Sequence, residues 1–184
     1  MNAFTSLALK SRSLCMAACA SFAMASAAQA DMPARTDGGS KVMLTGYEDS
    51  ASGKQLLAGK YSVVIAKLAA HGAGFAGHEV EASTNLCVAY IMSREWGEAH
   101  GACDEAISYA KLQHRTYMTG ERVPHDDAVA AAYSNRAVLN WLEHDMPDAK
   151  SDLAQAKSLS PSSEVVVQNL STLTLKESYE APAS

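Results

Sequence analysis

Small and apolar residues recur along this chain at helical spacing, and two stretches carry them in the same order. That recurrence limits the fold to stacked helical hairpins. Counted from Val80 and from Ala130, Cys87 matches Ala137, Ala99 matches Ala149, Cys103 matches Leu153 and Ala106 matches Ala156. Within the stretches the spacing is that of helices with one buried face. The sets are Leu86, Ala89, Tyr90 and Ser93; Ala99, Ala102, Cys103, Ala106 and Ala110; Ala137, Leu139, Trp141 and Leu142; and Ala149, Leu153, Ala156 and Leu159. His144-Asp145-Met146-Pro147-Asp148 makes a tight break between the last two sets, with Pro147 placed to start a helix. Ser160-Pro161 ends that helix, and Ser162-Ser163-Glu164 opens another running to about Leu175. Pro124 cannot continue a helix, and Asp126 is suited to cap the run from Asp127. The one strand-like run is short, at residues 41–44. These signals predict an all-α chain: a short solenoid of antiparallel helix pairs with a C-terminal capping helix at 163–175.

The first thirty residues are of another kind. Residues 1–30 contain no Asp or Glu, and Lys10 and Arg12 are followed by an uncharged run of small and apolar residues from Ser13 to Ala28. Ala28-Gln29-Ala30 then precedes Asp31, the small-x-small pattern of a secretory signal peptide, so cleavage is expected after Ala30 and the expected destination is the periplasm. The run is short and weakly apolar for a membrane span. An uncleaved anchor and lipidation at Cys19 are the alternatives. Loss of the two positive charges Lys10 and Arg12 moves the net charge from −5 to −7. An acidic chain is a poor partner for nucleic acid, which needs clustered Lys and Arg. No long apolar run follows residue 30, so the mature chain is not expected to insert in a membrane. Residues 31–44, with Pro, Gly, Ser and Asp and no helical period, read as a flexible leader, and residues 176–184 as a polar tail.

The matched positions resemble the tetratricopeptide repeat, a helical hairpin with a period of about 34 residues. Ala137, Ala149, Leu153, Ala156 and Pro161 stand where the family has its small residues, its large apolar residue and its Pro. Arg136 and Asn140 replace the usual Leu and Tyr. In the unit from Val80, Leu86, Cys87, Tyr90, Trp96, Ala99, Cys103 and Ala106 comply, and a weaker unit begins near Thr45 with Leu56, Gly59, Tyr61, Val64 and Leu68. The implied domain is 45–175, with repeats near 45–79, 80–113 and 130–163 and an insertion at 114–129. Small residues let antiparallel helices approach, larger ones fill the space between units, and no unit buries its apolar face alone.

The resemblance implies a concave groove lined by the first helix of each unit, at Glu81, Thr84, Val88, Ile91 and Met92, then Ala131, Ser134, Val138, Trp141 and Leu142. An apolar groove of this kind fits a protein or peptide partner. The alternatives are coverage by the chain's own termini or by a second copy in a homodimer. Asn85 and Asn135 occupy the sixth position of their units, but Thr84, Val88, Ser134 and Val138 stand where a peptide-carboxylate clamp would need Lys and Asn, so no such clamp is expected. Cys87 and Cys103 would sit on facing helices of one unit, either as a disulfide in an oxidising compartment or as two small buried residues.

Other motifs point to no chemistry. Gly72, Gly74 and Gly77 spell GxGxxG, but the preceding residues have helical period where the dinucleotide motif needs a strand, so the glycines read as a linker. His125-Asp126-Asp127 reads as a helix start, and the six histidines are scattered. Neither a cofactor nor a metal is expected, and the chain reads as a protein–protein interaction module in the cell envelope, not an enzyme.

Overall fold

The computed structural model describes residues 29–35, 41–70, 77–117 and 125–180. The charged start and apolar run of the expected signal peptide, the first five glycine-motif residues (72–76) and residues 118–124 of the expected insertion lie outside the described residues. The chain is mostly helical. Two strands, β1 (Gln29–Arg35) and β2 (Lys41–Tyr47), precede seven helices: α1 (Ala51–Leu57), α2 (Tyr61–Ala69), α3 (Glu79–Ser93), α4 (Trp96–Tyr117), α5 (His125–Leu142), α6 (Met146–Leu159) and α7 (Glu164–Glu180).

The helices form successive hairpins, α1 with α2, α3 with α4 and α5 with α6, each packed on the next. All three hairpins turn in the same way. Within two residues of the end of each first helix one residue has a left-handed backbone: Gly59 at φ 70°, Arg94 at φ 62° and His144 at φ 67°. The amide of Lys60 reaches Gln55 O at 2.9 Å, that of Glu95 reaches Tyr90 O at 3.0 Å, and that of Asp145 reaches Asn140 O at 2.8 Å. Each bond spans five residues and is joined by a three-residue bond from the left-handed residue, the helix-ending pattern that satisfies two orphan carbonyls. Gly59, Arg94 and His144 stand at the same offset from Thr45, Val80 and Ala130. Arg and His adopt the left-handed region at a cost that glycine avoids.

Packing follows the small-residue pattern. Ala99, Ala137, Ala149 and Ala156 are completely buried, as are Cys87, Cys103 and Leu153. One continuous core joins all of these except Ala156 to Leu56, Val64, Leu68, Val88, Ile91, Val138 and Trp141, while Ala156 packs with Ala130 and Val166. Arg136 and Asn140, the two departures from the apolar pattern, have a definite role. Arg136 Nε and Nη2 donate to the Asp152 carboxylate at 2.8 and 2.7 Å, its Nη1 reaches Asp104 Oδ1 at 2.6 Å, and Asn140 Nδ2 donates to Asp152 Oδ2 at 3.1 Å. Asp152 is only 4% exposed, so this paired guanidinium binds α4, α5 and α6 where an apolar contact was expected. The same bonds raise the pKa of Arg136 above its ordinary value, chiefly through Asp152.

Several expectations are corrected. Within the leader at 31–44, read as flexible, residues 31–35 lie in β1 and 41–44 in β2, and β2 continues to Tyr47, across the expected domain start. The described residues are mostly helical, as the all-α reading has it, with this two-stranded antiparallel sheet beside the helices. The expected cap at 163–175 is longer, since α7 runs to Glu180 through what read as a polar tail, and α5 starts at His125, ahead of the expected cap at Asp126. The poor helical signal at Ser50, Ser52 and Gly53 also has a cause. Ser50 Oγ accepts from the Gly53 amide at 2.9 Å and caps α1. A Cβ on Gly53 would lie 1.8 Å from the Tyr47 carbonyl oxygen, so only glycine lets α1 approach the end of β2.

Candidate interaction groove

The first helices of the units, α3 and α5, and the C-terminal α7 each carry an asparagine at the same offset: Asn85 counted from Val80, Asn135 from Ala130 and Asn169 from Glu164. All three are completely buried. Each holds one residue of β2 by both of its backbone groups. Asn169 Oδ1 accepts from the Met43 amide at 2.7 Å while its Nδ2 donates to Met43 O at 2.8 Å. Asn135 makes the same pair with Thr45, both at 2.8 Å, and Asn85 with Tyr47 at 2.7 and 2.9 Å. An amide side chain presents a donor and an acceptor side by side, the complement of one residue's N–H and C=O in an extended chain. Thr172 Oγ1 adds a bond to Lys41 O at 3.2 Å.

The alternation of a strand explains the spacing. Successive residues turn their backbone groups to opposite edges, so residues 41, 43, 45 and 47 face the helices and residues 42, 44 and 46 face β1. β1 pairs antiparallel, with Ala34 opposite Val42, Met32 opposite Leu44 and Ala30 opposite Gly46. Pro33 lies opposite Met43, whose backbone is already taken by Asn169, so the missing proline N–H costs the ladder nothing. Val42 and Leu44 are completely buried and join the main core, while Tyr47 packs with Val80, Ala110 and Val129.

The candidate partner-binding residues lie in one place, but not on an open surface. Thr84, Val88, Ile91, Ser134, Val138 and Trp141 are buried and Met92 and Leu142 half-buried. Ser134 Oγ accepts from Asn169 Nδ2 at 2.9 Å and so belongs to the clamp. β2 lies along these helices and supplies apolar side chains and backbone where a partner would have brought them. The alternative of coverage by the chain's own leader matches the geometry. Asn85 and Asn135, weighed in the sequence only against a terminal carboxylate, bind main chain instead. Asn169 carries the same signal, legible once Glu164 is taken as the start of a further unit.

Cys87 and Cys103 are joined as a disulfide, with Cα atoms 4.8 Å apart and both residues completely buried. The bond staples α3, which carries Asn85, to α4. No group of three or more His, Cys, Asp or Glu side chains suited to a metal occurs among the described residues, and no helix there is long and apolar enough to cross a membrane. An open, mostly acidic cleft lies between α4, α5 and α6, lined by His100, Asp104, Glu143, Asp148 and Asp152 around Arg136.

No protein-family model matches the chain, and comparison with curated proteins and with solved structures finds no match either. The functional reading therefore rests on the residues and their geometry.

Proposed function

We propose that this chain is an exported, non-catalytic interaction scaffold of the tetratricopeptide type, working in the periplasm, whose groove is closed in cis by its own leader strand. The single observation that carries the closed groove is the ladder of Asn85, Asn135 and Asn169, one on each of α3, α5 and α7, each holding both backbone groups of alternate residues of β2. Such a ladder reads main chain without regard to side chains, and here the main chain it reads is the protein's own. The shared left-handed turn at Gly59, Arg94 and His144 supports the repeat reading, because it recurs in register with the small-residue pattern. The presequence and the Cys87–Cys103 bond support export to an oxidising compartment.

The test is removal of the strand. The precursor is expressed with its presequence, and the protein recovered from the envelope should begin at Asp31 by mass. A second chain lacking residues 31–47 is compared with it by thermal circular dichroism and light scattering. Loss of the cooperative transition, or new self-association through the bared groove, is the expected result. A deletion chain that stays monomeric and equally stable would show that β2 is dispensable and the closed-groove reading wrong.

A further inference from the structure

With its inner edge occupied by asparagines, β2 has one edge left, and that edge is held by β1. β2 packs on α1, α3, α5 and α7, whereas β1 packs principally on β2. The rungs facing β1 are those at Val42, Leu44 and Gly46. If residues 1–30 are removed, the partner of Gly46 goes with them, since that partner is Ala30. At the other end the register sets Arg35 opposite Lys41. Two cationic residues directly opposite in an antiparallel pair disfavour it. Lys41 itself is exposed, and its carbonyl is held by Thr172. The strand next to β2 is thus short and mismatched in charge, while β2 stays fixed from behind. Growth of the sheet beyond β1 is hindered by Pro33, whose ring nitrogen faces the outer edge and offers no N–H. A newcomer must replace β1 and cannot add to it.

We propose that the outer edge of β2, from Lys41 to Gly46, is an exchangeable docking site for an extended segment of another protein that carries an acidic residue opposite Lys41. This rests on the closed-groove reading, because only a strand fixed by the asparagines can present its edge. The incoming segment runs antiparallel to β2, makes main-chain bonds to Val42, Leu44 and Gly46, and places its carboxylate where the chain's own Arg35 now stands in register. Main-chain pairing supplies the affinity, and the charge opposite Lys41 supplies the selection.

Two labelled peptides test this on the exported full-length mature protein. One has the sequence of residues 29–35, and the other is the same peptide with Arg35→Glu. Binding is read by fluorescence anisotropy, and the site by the change in the Val42, Leu44 and Gly46 amide resonances, whose partner strand is exchanged, in spectra that also follow amide exchange. The acidic peptide should bind about fivefold more tightly than the native-sequence one, the ratio expected for turning a like-charge pair into an opposite-charge pair. In a Lys41→Glu protein, altered at an exposed side chain, the order of the two peptides should reverse. Failure of both peptides to bind at millimolar concentration, or equal binding that ignores Lys41→Glu, overturns the proposal. Protected Met43, Thr45 and Tyr47 amides in the same spectra would show that the closed groove survives that failure, and unprotected ones would show that both readings fall together.

Discussion

Replacing Asn135 with alanine isolates the central rung of the asparagine ladder. Asn135 is completely buried, and both its bonds go to the backbone of Thr45 at 2.8 Å. The substitution removes the partner of one N–H and one C=O in a region closed to water. Each such group costs about 1–3 kcal/mol when its bond is lost inside a protein. A small cavity adds to that, while partial entry of water subtracts, so a net loss of about 3–5 kcal/mol is expected. At about 2–4 °C per kcal/mol for a chain of this size, the melting midpoint should fall by about 10 °C. The other two rungs set the scale. Tyr47 O also accepts from Ser50 Oγ at 3.4 Å, and Met43 is only half-buried, so Asn85→Ala and Asn169→Ala should cost less than Asn135→Ala. Asn135→Asp keeps the shape but turns the donor facing Thr45 O into an acceptor, so it should cost at least as much as alanine. Thermal and urea unfolding of the disulfide-intact mature chain measures all four. A loss below about 0.5 kcal/mol for Asn135→Ala, the level of an ordinary surface change, would refute the reasoning.

Three further substitutions test other joints of the fold. Cys103→Ser opens a bond of sequence separation 16 and should cost about 3 kcal/mol in urea unfolding, while the non-reduced, denatured parent should show no free thiol. Gly53→Ala forces a Cβ towards the Tyr47 carbonyl and should cost about 3 kcal/mol, with faster exchange of the Tyr47 amide and not of the Thr45 amide. Arg136→Leu puts an apolar residue where the resembled repeat has one but leaves buried Asp152 without its guanidinium, with only the Asn140 amide of the bonds described above. It should cost about 3 kcal/mol, most of it recovered when Asp152→Leu is added, as a double-mutant cycle would reveal.

Much of the helical framework was legible because it depends on local spacing. The small residues at Ala99, Ala137, Ala149 and Ala156 mark close approach of helices wherever they occur, and the break at His144–Pro147 marks a hairpin. Of β2 only the start was legible, as the short strand-like run at 41–44; its extent to Tyr47 and its place along the helices were not, because what holds them is not in those residues. Their backbone partners are Asn85, Asn135 and Asn169, which lie 38, 90 and 126 positions away in sequence. A Gly- and Asp-bearing leader reads as flexible when its partners are not known. The weak first helix had the same difficulty, since Gly53 is unfavourable for α1 alone and required only by the neighbouring strand. Arg136 and Asn140 read as departures from an apolar pattern until Asp152 is seen between them. The groove residues were placed together from the repeat positions alone, yet what fills the groove depended on the long-range ladder.

The measurement that tests the account most directly is amide hydrogen exchange of the mature protein, resolved at Met43, Thr45 and Tyr47. A groove closed by its own strand predicts that these three amides exchange as slowly as the core amides of α3 and α5, since they open only when the ladder does. Exchange at the rate of an exposed, unstructured chain would contradict it, and would leave the open, partner-binding groove as the reading that stands of the two the sequence offered.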